Sequence, residues 1–116
     1  MSNSEFPPLK AEEEIIIEDS AKRIRNQGQT KDKGTLILTN QRVIFGRKAS
    51  FISKPKIRLD ISLDEVEKTE TKGLIRKELV INYMGENRVG ESEYKTEYFK
   101  VSDEDRWLAK LKEMTQ

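Results

Sequence analysis

The thirteen residues from Gly34 to Gly46, GTLILTNQRVIFG, constrain the fold more than any other stretch of this chain. Two runs rich in β-branched and aromatic residues flank Asn40-Gln41 at the spacing of a two-residue hairpin. With those two residues at the turn, Thr39 faces Arg42, Leu38 faces Val43, Ile37 faces Ile44 and Leu36 faces Phe45. Directly opposed side chains share a face, so Leu36, Leu38, Val43 and Phe45 form one apolar surface. The other face carries Thr35, Ile37, Thr39, Arg42 and Ile44, a mixed set expected to be partly wet. A slip of one residue would turn the four large apolar groups to water, so the pattern itself selects the pairing.

Alternating segments recur on both sides of the hairpin. Between Glu14 and Arg25, Ile15, Ile16, Ile17, Ala21 and Ile24 lie among charges, which reads as a first strand broken near Asp19-Ser20, with a helix as the alternative. Asn26 to Lys33 is polar, contains glycine and reads as a connection. Lys56 to Ile61 alternates strictly, with Ile57, Leu59 and Ile61 on the side expected to be buried. Ser62 to Val66 leads into a polar run ending at Lys72, a short edge strand that Gly73 stops. Leu79, Ile81 and Tyr83 alternate again, and after the glycine-containing loop from Gly85 to Gly90 a last strand spans Tyr94 to Val101. Ser102 to Asp105 then offers an N-cap with acids in the first turn, where the helix dipole favours them. Trp107, Leu111 and Met114, with Leu108 beside them, make the stripe of an amphipathic helix. Seven strands followed by one helix is an order in which the helix can close one end of a curved sheet.

At 116 residues the chain has the size of one domain. Residues 1–11, with Pro7-Pro8 after a polar start, read as a flexible N-terminal leader, and residues 12–116 as the domain. Charged residues make up 37% of the chain and apolar ones 34%. With a net charge of only +1 and the apolar residues gathered in patterned runs, this is a charged surface around a modest core and not a disordered chain.

The residue inventory leaves little room for catalysis. There is no cysteine and no histidine, so no disulfide, thiolate metal site, cysteine nucleophile or imidazole base exists. Neither a Gly-x-Ser-x-Gly elbow nor a phosphate loop is present. Asp64-Glu65 and Asp103 to Asp105 are accounted for by turn and cap chemistry, and no calcium-loop spacing occurs. No catalytic, cofactor or metal site is therefore assigned. Tyr83, Tyr94, Tyr98 and Phe99 fit strand packing better than stacking on nucleic acid. Apolar runs reach only three residues, as in Ile15 to Ile17, so no membrane span is expected. The expected location is cytoplasmic, with peripheral attachment to the inner face of a membrane.

Charge is distributed unevenly. Residues 21–58 contain eleven Lys or Arg and a single acid, Asp32, so this segment carries +10 and the remainder −9. In a meander, alternate connections lie at one end. The connections at 26–33 and 47–55 should therefore unite Lys22, Arg23, Arg25, Lys31, Lys33, Arg47, Lys48, Lys54 and Lys56 as a basic rim. Within GRKASFISKPK, Phe51 and Ile52 sit between basic pairs, as an apolar wedge in a cationic collar would. Such a rim suits an anionic lipid surface, or alternatively an acidic protein segment accepted at an edge strand or beside the terminal helix.

GTLILTNQRVIF resembles the G-x-L-x-L-T-N-x-R-x-I-F hairpin of GRAM and related pleckstrin-homology-like domains. Ile61-Ser62-Leu63-Asp64-Glu65-Val66 resembles the I-x-L-D-E-I step that follows it, and Leu9 to Ile16 the acidic lead-in of prokaryotic members. Trp107 is similar to the tryptophan of the pleckstrin-homology (PH) terminal helix. The resemblance implies a mainly β (α+β) fold: a bent antiparallel seven-stranded sandwich or partial barrel, capped by a C-terminal helix. It also implies a binding module, since members of this family bind lipids, phosphoinositides, ubiquitin or peptides, and fold alone does not choose among them. The family's phosphoinositide pattern sets a basic residue on strand one, then Lys or Arg, any residue, and Arg on strand two. Lys22 and Lys31-Asp32-Lys33 approximate it, while the second strand read from Gly34 to Thr39 carries no basic residue.

Overall fold

The hairpin forms with the pairing its sequence dictates: Leu36 opposite Phe45, Ile37 opposite Ile44 and Leu38 opposite Val43. A computed structural model describes residues 8–48, 51–52 and 54–115. The strands are β1 (Ile15–Arg25), β2 (Thr30–Thr39), β3 (Arg42–Arg47), β4 (Lys56–Ser62), β5 (Val66–Lys72), β6 (Glu78–Glu86) and β7 (Ser92–Lys100), followed by helix α1 (Glu104–Thr115). Single 3-10 turns occupy Asn26–Gly28 and Leu63–Glu65. All seven strands join one antiparallel sheet in the order β4-β3-β2-β1-β7-β6-β5. The sheet is open, and β4 and β5 are its edges.

One core fills the concave side. Leu36, Leu38, Val43 and Phe45 are fully buried against Ile61, Leu79, Ile81 and Phe99. At roughly 1.5–3 kcal/mol for each large apolar side chain removed from water, this cluster is the main stabilising element. The helix closes it. Trp107 and Leu111 are fully buried, and the indole Nε1 of Trp107 donates to Asp19 Oδ2 at 2.9 Å, tying α1 to the middle of β1. Within Ser102 to Asp105, the stretch expected to supply the N-cap, it is Asp103 whose Oδ1 accepts from the Arg106 amide at 3.1 Å.

Four expectations change. The first strand is continuous from Ile15 to Arg25, with an irregularity only between Ile15 and Ile17, and is not a helix. The second strand starts at Thr30 and so includes Lys31 and Lys33, because β1 extends far enough to pair with it: Lys22 opposes Lys33 and Arg25 opposes Thr30. A register shift between Phe45 and Gly46 interrupts the alternation along β4, so Ile61 is buried but Ile57 is 37% exposed. Finally, the face expected to be partly wet is dry at its centre: Ile37, Ile44 and Thr39 are fully buried and Arg42 nearly so.

Part of the reason for that dry face lies in the chain ahead of β1. The Glu13 carboxylate accepts from Thr39 Oγ1 at 2.6 Å and from Arg42 Nε at 2.8 Å, and Arg42 Nη1 reaches Asp60 Oδ2 at 2.8 Å. Of the eleven residues expected to form a leader, 1–7 lie outside the described residues. Three of the remaining four are held by hydrogen bonds: Pro8 O accepts from Arg42 Nη2, Ala11 O from Gln41 Nε2, and the Lys10 amide donates to Glu13 Oε1.

Candidate functional site

The basic side chains expected at the rim divide by the strand face on which they fall. Lys22 and Lys33 are direct cross-strand partners, and Lys22 also opposes Lys100 of β7. Side chains in such positions share a face with Cβ atoms about 5 Å apart. Lys33, Lys22 and Lys100 thus form a row of three ammonium groups across three adjacent strands, on the side of the sheet away from the main core. Like charges opposed in this way destabilise a sheet. Among the described residues neither Lys22 nor Lys33 has an ion-pair partner, and both are exposed. Lys100 is half-buried, donates from Nζ to the Lys77 carbonyl at 3.0 Å and lies 4.0 Å from Glu104 Oε2. A shallow cleft of about 300 Å³ runs along the row, lined by Ser20, Lys22, Lys33, Gly34, Lys100 and Val101 among others. Lys31, also exposed, points to the same side one row further out, opposite the buried Ile24.

Arg23 and Arg25 are spent internally. Arg23 faces the other side, where its Nε and Nη2 each donate to the Glu97 carboxylate at 2.8 Å. Tyr83 Oη donates to the same carboxylate at 3.4 Å, and its pKa is pushed up to about 12, first by burial and then by the negative charge of Glu97. Arg25 is bonded to Asp32 at 2.9 Å. Arg23, Arg25 and Glu97 line a second cleft of about 500 Å³ between the β1–β2 connection and strands β6 and β7.

The β3–β4 connection departs beside the lysine row. Thr35 opposes Gly46, which brings the root of this loop against Gly34, where the strands pass so closely that a Cβ on Gly34 would meet the Gly46 carbonyl oxygen at 2.6 Å. From this root Lys48 pairs with Glu18, and Arg47 Nη2 donates to the Lys54 carbonyl at 3.5 Å. Lys54 and Lys56 are exposed and have no ion-pair partner among the described residues. Phe51 and Ile52 stand in water, 103% and 87% exposed, and do not fold back over the sheet edge.

Three features escaped the sequence reading. Lys100 joins the row only through the β1–β7 register, which no local pattern encodes. The cluster of buried Glu13, Thr39 and Arg42, with the exposed Asp60, depends equally on long-range contacts. In the β5–β6 connection, Leu74 and Ile75 are 97% and 95% exposed, between Lys72 and Arg76. Their signal was available, since GLIRK sets two apolar residues beside bases just as SFISK does. Among the described residues no group of three or more acidic, histidine or cysteine side chains could hold a metal ion, and no helix is long and apolar enough to cross a membrane.

The family model of vacuolar protein sorting protein 36, Vps36 of ESCRT-II, matches residues 1–85. The chain belongs to the Vps36 family. Its likeness to GRAM domains therefore holds at the level of the pleckstrin-homology-like fold, while the matching family is Vps36. No curated protein sequence matches this Vps36-family domain. Solved structures do match it. A PH domain of Slm1 in complex with inositol-4-phosphate has 17% identity and a TM-score of 0.66, covering 88% of this chain and 96% of that one. A second Slm1 PH structure, describing ligand binding, has 16% identity and a TM-score of 0.61, covering 88% and 98%. The DH/PH domains of p115-RhoGEF have 10% identity and a TM-score of 0.63, with 89% of this chain and 30% of that chain covered. At these identities the likeness is one of fold, and the fold is that of a PH domain.

Proposed function

We propose that this Vps36-family domain docks reversibly on an anionic membrane surface through the basic side chains at the β1–β2 and β3–β4 end. The observation that carries the reading is the Lys33–Lys22–Lys100 row, three cations set side by side on a solvent face where a folding-only design would alternate signs. A planar array of negative headgroups supplies the missing countercharge. Lys31, Lys54 and Lys56 extend the cationic surface, and the exposed Phe51-Ile52 pair gives it an apolar tip. Arg23 and Arg25, already bonded to carboxylates, shape this end of the sheet instead of contacting lipid.

At about 1 kcal/mol per basic side chain near an anionic surface, these six lysines contribute roughly 6 kcal/mol. This corresponds to a Kd between about 1 mM and 1 μM, a reversible attachment that salt would weaken within a Debye length of about 8 Å. Two comparisons support the reading: the Slm1 PH domain of the same fold is complexed with a phosphorylated inositol, and the family name refers to vacuolar protein sorting. Attachment from the cytoplasmic side, peripheral to the membrane, is the corresponding location.

A second reading has one observation in its favour. β4 is a sheet edge whose Lys56 and Arg58 are exposed, so an acidic protein segment could add to it as a further strand. Sedimentation with phosphatidylcholine vesicles, with and without phosphatidylserine, at low and physiological salt separates the two. Capture only by the phosphatidylserine vesicles, decreasing with salt, is expected; equal recovery with both vesicle types excludes lipid docking.

A further inference from the structure

The β5–β6 connection presents a second apolar tip that nothing in the fold accounts for. Leu74 and Ile75 are almost fully exposed, and the turn that presents them is specified: Gly73 has φ +100°, and a Cβ there would meet the Arg76 carbonyl oxygen at 2.5 Å. Two branched apolar side chains held out to water at the end of a specified turn lose burial without serving the core. Around them, Lys72 and Arg76 are exposed and have no ion-pair partner among the described residues, while Lys77 pairs with Asp105.

This tip is joined to the lysine row through the Lys77 carbonyl, which accepts from Lys100 Nζ at 3.0 Å. At the other end of the row, Lys33 adjoins Gly34, which packs against Gly46 at the root of the loop that carries Phe51 and Ile52. Three lysines therefore run from the base of one exposed apolar tip to the base of the other. Cations between two apolar points match the layering of an anionic bilayer, where headgroup phosphates and carboxylates lie above acyl chains.

We propose that Leu74 and Ile75 insert into the bilayer together with Phe51 and Ile52, so that the domain docks at two points with the Lys33–Lys22–Lys100 row lying on the headgroups between them. This deepens the membrane-docking reading and rests on it. The occupant is a lipid surface because the contact is discontinuous, two apolar tips separated by cations, and the shallow cleft along the lysines is lined by none of Phe51, Ile52, Leu74 and Ile75, so no continuous track joins the tips for a polypeptide.

The absence of cysteine from the chain allows single-site labelling. Ile75→Cys, Phe51→Cys and Asp64→Cys variants, each carrying an environment-sensitive fluorophore, are mixed with phosphatidylcholine–phosphatidylserine vesicles, some with brominated acyl chains. The labels at 75 and 51 should shift to the blue and be quenched by bromine, while the label at Asp64, an exposed residue in the turn before β5, stays in water. Leu74→Ser with Ile75→Ser should weaken vesicle binding roughly tenfold and leave the melting curve unchanged, because neither side chain is packed. Vesicles that bind the protein while the label at 75 stays in water overturn two-point insertion, spare the docking reading and leave the tip to a protein partner. Failure of the parent chain to sediment with these vesicles overturns both.

Discussion

Two clusters of charge in this domain are built in opposite ways. At the start of β3, Arg42 is buried with Glu13 and Asp60 as partners, Glu13 also accepts from Thr39 and from the Lys10 amide, and no buried side-chain polar atom among the described residues lacks a hydrogen bond. On the outer side of β1, β2 and β7, three lysines oppose one another, Lys22 and Lys33 exposed and Lys100 half-buried. Buried charges must be matched or the fold fails. Exposed like charges cost little enough to be kept, and they are kept where another surface can match them. The matched cluster serves stability, and on the proposed function the lysine row serves binding.

The largest expected effect breaks the matched cluster. Arg42→Met strands the Glu13 carboxylate in a buried site and should cost about 3–5 kcal/mol in urea unfolding, with vesicle binding by the folded fraction unchanged. Replacing Glu13 by Leu as well removes the stranded charge and should restore part of the loss. Full stability in Arg42→Met alone would erase the contrast between the two clusters.

A smaller effect appears with acid. Hydrogen bonding to Arg42 holds the Glu13 pKa down at about 2, against an ordinary value of 4.5, despite the opposing effect of burial. Because the folded value is the lower one, its contribution, on the order of 3 kcal/mol, is present above pH 4.5 and lost as the pH falls toward 2. Thermal melts from pH 6 to 2 should show this decline, and the decline should be largely absent from Glu13→Gln. A parallel fall in both proteins would place the acid sensitivity elsewhere.

How much of this could be read from sequence follows the range of the contacts involved. The β2–β3 pairing and helix α1 were legible because cross-strand alternation about a two-residue turn and a capped apolar stripe are local signals. The early start of β2 was not, because Thr30 to Lys33 is polar and becomes a strand only by pairing with the far end of β1. Burial of Arg42 was missed for a related reason: it looked like a solvent-facing residue until Glu13, 29 positions away, came to meet it. Basic character at the β1–β2 end was visible as the +10 segment. Which cations were free was not, since Glu97 and Asp32 claim Arg23 and Arg25, and Lys100 enters only through the sheet register.

The smallest energetic effect is the most decisive, and Lys22→Glu measures it. Placing an acid between Lys33 and Lys100 replaces two repulsions by two attractions, which should raise stability by about 0.2–1 kcal/mol and Tm by roughly 1 to 5 °C. The same change should largely abolish sedimentation with phosphatidylserine-containing vesicles. A more stable protein that no longer binds is the outcome expected of a row kept for docking; a protein that melts lower, or that binds as before, would contradict it.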